Sequence, residues 1–171
     1  MAGLKTGSLF SCEFERKKEL SESIRRLNTR LVPRGVRMIP VKITGNRALI
    51  YVYRPKKLSN DLCDSKALSI LGEKLYPTEN AQNCVAELVR RLNTQEEFPH
   101  EIGLFLGYPS ADVEGFIKNG AKGAKCVGTW KVYSDEESAK KKFALYKKCK
   151  KVYEEAYKKH NSFDRLIVNC K

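Results

Sequence analysis

At 171 residues, 42% apolar and 31% charged, the chain can bury a core without disulfides or metal, and it is too apolar for wholesale disorder. No window approaches the roughly 20 apolar residues of a membrane span, and MAGLKTGSLFSCEF lacks the apolar core of a signal peptide. The formal net charge of +13 leaves the fold open but favours phosphates, nucleic acid or acidic surfaces as partners.

These totals describe one cytoplasmic domain over residues 1–171, with no membrane partner. Six cysteines (Cys12, Cys63, Cys84, Cys126, Cys149 and Cys170) are scattered without a CxxC pair. They read as reduced thiols on apolar faces rather than as a metal site.

Residues 8–14 alternate as a short strand. Leu20, Ile24, Leu27 and Leu31 then recur at helical spacing until Pro33-Arg34-Gly35. From Val36 the period changes to two. Val36–Ile43 and Ala48–Tyr53 form the arms of a hairpin around Gly45-Asn46, with a bulge or edge position expected at Pro40, which has no N–H to donate. The second arm is apolar on both faces and reads as a central strand.

Two helices follow, Ser59–Leu75 and Ala81–Leu92. A strand is expected at Glu101–Leu106, a short helix at Ser110–Lys118, and another strand at Cys126–Tyr133. Ser134 and Glu137 form a capping box for a basic helix to Lys159, and the tail FDRLIVN reads as a last strand. The pattern gives an α/β fold, a mixed sheet (the antiparallel hairpin plus further strands) covered by helices, with α+β as the alternative.

The chain resembles a bacterial family known as a domain of unknown function (DUF 3793), found mostly in anaerobic Gram-positive bacteria. The likeness is carried by AGLKTGSLFSC, ALIYVYRPKKL, FPHEIGLFLGYPSADVEGFI and CVGTWKVY. Family members usually have a few residues before AGLK, a cysteine and a proline among them, whereas this chain starts at Met1-Ala2. The resemblance implies no activity. It implies one domain and directs attention to the PHEIGLFLGYP block.

That block holds His100 and Glu101. Imidazole can move protons near neutral pH, so the two are candidates for acid–base work, although neighbours on a strand point to opposite faces. The alternative is a histidine that caps a strand by bonding backbone. Gly103 and Gly107 fit neither a Walker loop nor a dinucleotide fingerprint, and they serve a turn and close packing equally well. The start of the Ser110 helix offers N–H groups to an anion. The preferred expectation is therefore a small anionic ligand, phosphate- or carboxylate-bearing, at His100, Tyr108 and Ser110, with Arg54 and Tyr53 contributing.

The alternative is a nucleic-acid-binding module using Lys140, Lys141, Lys147, Lys148 and Lys151, interleaved with Tyr146, Tyr153 and Tyr157 and joined by Arg25, Arg26, Arg30, Arg34 and Arg37. A structural protein without chemistry is the third reading. Trp130 reads as a core residue in preference to a pocket wall, and no motif assigns a cofactor.

Overall fold

A computed structural model of the chain describes residues 2–161 and 166–168. It is a mixed α/β arrangement of helices around an antiparallel sheet. Strand β1 (Gly7–Glu13) leads into α1 (Lys17–Leu31), which a turn of 3-10 helix at Val32–Arg34 and a left-handed Gly35 bring to an end. The hairpin β2 (Arg37–Thr44) and β3 (Arg47–Tyr53) follows, turning on Gly45-Asn46. The strand order is β1-β3-β2, so β3 lies in the middle as its two apolar faces require. Both of its pairings are antiparallel, which leaves β1 and β2 running the same way with β3 inserted between them.

The bulge falls at Pro40. Register shifts between Pro40 and Lys42, and the extra residue, Val41, is turned into the core at 1% exposure. A bulge strands a backbone carbonyl, and here the Asn93 side-chain amide donates to the Val41 oxygen at 2.8 Å. Edge strand β2 is also covered from the other side: Asn28 of α1 exchanges two hydrogen bonds with the Met38 backbone, at 2.7 and 2.9 Å.

Alternation along β3 divides the core. Tyr51 and Tyr53 face one cluster, with Leu49 packed against it. That cluster is built with α2 (Pro55–Leu62), α3 (Ser65–Glu73) and α4 (Ala81–Thr94). Ala48 and Ile50 face a second cluster under α1, which Ile167 joins. Helices α5 (Ile102–Phe105) and α6 (Ser110–Asn119) follow. The short antiparallel pair β4 (Cys126–Val127) and β5 (Lys131–Val132) and the long α7 (Glu136–His160) complete the described elements. None of the described helices is long and apolar enough to cross a membrane.

Four expectations need correction. The helix expected over Ser59–Leu75 is two helices, because Asp64 accepts the Ala67 N–H at 3.1 Å and starts a new N-terminus. Residues 126–133 form a tight hairpin, not one strand. Asp135, not Ser134, caps α7, accepting the Ser138 N–H at 3.0 Å. Glu101–Leu106 is not a strand, as described below. The tail reading falls mostly on residues outside those described, and residues 166–168 pair with no strand among the described residues. Of the cysteines, Cys84 is buried, Cys12, Cys126 and Cys149 are half-buried, and Cys63 is exposed against expectation.

Candidate functional site

The segment expected as a strand coils into a single helical turn. Leu104 N–H bonds the Glu101 carbonyl at 3.0 Å and Leu106 N–H bonds the Ile102 carbonyl at 3.2 Å. The turn closes with the paired bonds of a Schellman motif: Tyr108 N–H to the Gly103 carbonyl at 3.0 Å and Gly107 N–H to the Leu104 carbonyl at 3.1 Å. Gly107 takes the left-handed position at φ +75°, and a side chain there would meet Thr6 Oγ1 at 2.5 Å. Ile102, Gly103, Leu104 and Phe105 are all buried. An element apolar on every side has no period to read, so strand and buried helix look alike in sequence.

Gly103 lets α5 and α6 close on each other: a Cβ there would meet Val113 Cγ2 at 2.8 Å and Tyr108 Cδ2 at 3.2 Å. Beside this contact lies a cavity of about 400 Å³. Its walls are mainly aromatic and aliphatic, from Phe98, Ile102, Tyr108, Val113, Phe116 and Trp130, and its basic groups are His100 and Lys131. Tyr108 stacks on Trp130 with ring centroids 5.0 Å apart, and His100 meets the Phe116 ring edge-on at 4.9 Å. Lys131 Nζ stands 5.0 Å over the same Phe116 ring. Burial raises the Tyr108 hydroxyl above its ordinary range, with Tyr146 adding to the effect, so it stays protonated.

The one carboxylate lining the cavity, Asp112, is spoken for. Oδ2 accepts Trp130 Nε1–H at 2.7 Å, while Oδ1 accepts the Tyr133 N–H at 2.8 Å, the Ser134 N–H at 2.8 Å and the Ser134 hydroxyl at 2.7 Å. Burial alone would raise its pKa; the donors reverse this and hold it below the usual carboxylate value. Asp112 thus ties α6 to the β4–β5 hairpin and to the start of α7, and it fixes the indole in the cavity wall.

Of the residues expected to share a site, the structure brings His100 and Tyr108 together and separates the rest. His100 is exposed at the cavity rim. Glu101 turns into the core at 4% exposure, accepting the Tyr76 hydroxyl at 2.9 Å and lying 3.6 Å from Arg91 Nη1. The two therefore point to opposite sides of the turn, and Glu101 cannot orient His100. Ser110 bonds the Asp64 side chain and does not line the cavity.

Arg54 and Tyr53 belong to a different recess. Tyr53 stacks on Tyr51 at 4.6 Å, and the Arg54 guanidinium donates to the carbonyls of Arg34 at 3.1 Å and Val168 at 2.7 Å. Among the helix lysines, Lys140, Lys141 and Lys151 sit against Glu136, Glu137 and Glu155 one turn away, at 2.6, 2.7 and 4.0 Å. Lys147 lines that second recess, whereas Lys148 does not.

Sequence reasoning missed Asp112, Phe116, Phe98 and Lys131. Asp112 looks like an ordinary acid in a first helical turn, where the dipole favours it, and nothing local shows that four donors converge on it. Lys131 follows Trp130 directly, and neighbours on the strand expected there point to opposite faces, so no local pattern put both in one wall.

Fold and site together define a mixed α/β protein with an aromatic-walled cavity flanked by two basic side chains. The chain belongs to the family described as Protein of unknown function (DUF3793), whose model matches residues 1–167. No curated protein and no solved structure matches it.

Proposed function

We propose that the protein binds a small molecule with a flat apolar body and an anionic group, in the cavity walled by Tyr108 and Trp130. One observation supports this above all: the cavity is apolar apart from two basic groups, His100 and Lys131, and a carboxylate whose lone pairs already face four donors. An apolar recess with a few placed polar groups is the usual form of a small-ligand site. Stacking against Trp130 and Tyr108 suits an aromatic ring, and the positive rim suits a carboxylate or phosphate. His100 is also the group placed to exchange a proton with such a ligand.

Trp130 is the chain's only tryptophan, so its emission reports directly on the wall. Titration with a panel of aromatic carboxylates and aryl phosphates should shift or quench that emission saturably. His100→Ala and Lys131→Ala should each weaken binding about tenfold, the loss of one charge-assisted hydrogen bond. Neutral analogues binding as tightly as the anions would refute the anionic assignment. A silent Trp130 across the panel would refute the site.

A further inference from the structure

The second recess is a separate surface. It is a groove of about 880 Å³ between the N-terminal segment, the part of the sheet face that α1 leaves uncovered, and α7. Three lysines line it, Lys5, Lys147 and Lys150, against one carboxylate, Glu154, which lies 3.7 Å from Lys150. Lys147 has no carboxylate partner among the described residues. Arg54 is built into the groove through its bonds to backbone carbonyls and is left out of this balance.

Aromatic rings line the groove beside these cations. Tyr146, Lys150, Tyr153 and Tyr157 follow one another at intervals of four, three and four residues, so they form one stripe of α7 about 16 Å long. Across the groove Phe10 is 45% exposed, and Tyr157 is 47% exposed. Lys5 Nζ stands 4.6 Å over the Tyr146 ring, and partial burial lowers its pKa.

We infer that this groove binds single-stranded nucleic acid. A channel whose three lysines face a single carboxylate, with partly exposed aromatic faces on which bases stack, is the chemistry such a strand requires. Two other anionic partners fit less well. A bilayer is flat and cannot enter a concave groove, and an acidic peptide would leave the row of tyrosine faces without stacking partners. Lys140, Lys141 and Lys151, which pair with Glu136, Glu137 and Glu155, do not line the groove, whereas Lys150 on the stripe shares its charge with Glu154.

The test is fluorescence anisotropy of the full chain with a labelled oligo-uridine, a duplex of equal length, and heparin as competitor. The single strand should bind with affinity falling linearly in log salt, and the Lys147→Gln/Lys150→Gln variant should show a shallower salt slope. Tyr153→Ala should weaken binding about tenfold through the lost stacking. All three side chains lie at the surface or half-buried, and circular dichroism of each variant checks the fold.

No binding, equal binding of the duplex, or a lysine variant indistinguishable from wild type would overturn the inference. Binding that heparin matches and Tyr153→Ala leaves intact would also overturn it, reducing the groove to a general polyanion surface. The groove variants should leave the Trp130 ligand response unchanged, so the two proposals can fail separately.

Discussion

Asp112→Asn is the sharpest perturbation the structure offers, because the new side chain has the same shape and the wrong hydrogen. Asp112 is 2% exposed and accepts from four donors, three at Oδ1 and Trp130 Nε1–H at Oδ2. An asparagine can present its oxygen to the three donors of Tyr133 and Ser134, but its NH₂ then faces the indole N–H. The indole N–H and the NH₂ then both lack an acceptor, at about 1–3 kcal/mol for a buried donor, and the remaining bonds lose their charge assistance.

The combined loss is about 3 kcal/mol, which for a chain of this size lowers Tm by about 6–12 °C. Thermal and urea unfolding followed by far-ultraviolet circular dichroism measure it. Trp130→Phe removes the opposing N–H, so the double variant should be at least about 1 kcal/mol more stable than the sum of the single losses predicts. An Asp112→Asn loss below about 0.5 kcal/mol, or strict additivity with Trp130→Phe, would refute the reasoning.

Two further outcomes follow from carboxylates paired with arginines. Glu101→Gln should destabilise by about 1–3 kcal/mol, because Gln retains the Tyr76 bond but no longer balances Arg91, yet it should leave ligand affinity at the Trp130 cavity unchanged. Loss of ligand binding in a folded Glu101→Gln protein would return that residue to the site. Glu87 is held at about 2, first by its bonds from Arg90 and then by those from Arg91. A depressed carboxylate stabilises above its unfolded value near 4.3 and loses that contribution as pH falls towards 2. Tm measured between pH 6 and pH 2.5 should therefore drop less steeply for Glu87→Gln than for wild type; parallel curves would show that the pair contributes nothing.

The sheet was legible because its signals are local. Gly45-Asn46 between two period-two runs marks the hairpin, and Pro40 marks its bulge without reference to anything distant. The 101–106 turn was not, since burial on all sides erases periodicity; only Gly107, two residues ahead of a proline, hinted that a helical turn was being capped. The Cys126–Tyr133 hairpin failed for a related reason: Gly128 N–H bonds the Trp130 carbonyl at 3.0 Å across a turn too tight to show in an eight-residue apolar pattern.

The site was half legible. His100 and Tyr108 lie in one block of sequence and share one cavity. Arg54 was assigned to them by residue type alone, and no sequence pattern states that β3 meets α5 through Tyr51, whose buried hydroxyl donates to the Phe105 carbonyl at 2.5 Å. That contact sets the tyrosine face of β3 against α5, while Arg54 lines the groove.

The two recesses are nevertheless joined by one ring. On the cavity side Trp130 stacks with Tyr108; on the other it meets Phe143 edge-on at 4.6 Å and Tyr146 at 6.5 Å, both of which line the groove. The indole cannot turn without giving up its bond to Asp112, and an aromatic wall packed this closely moves as a unit or not at all. Asp112 therefore has a role that neither recess alone explains. It sets the position of the partition, so the shape of the cavity and the start of the tyrosine stripe on α7 both depend on one carboxylate whose oxygens already accept from four protein donors.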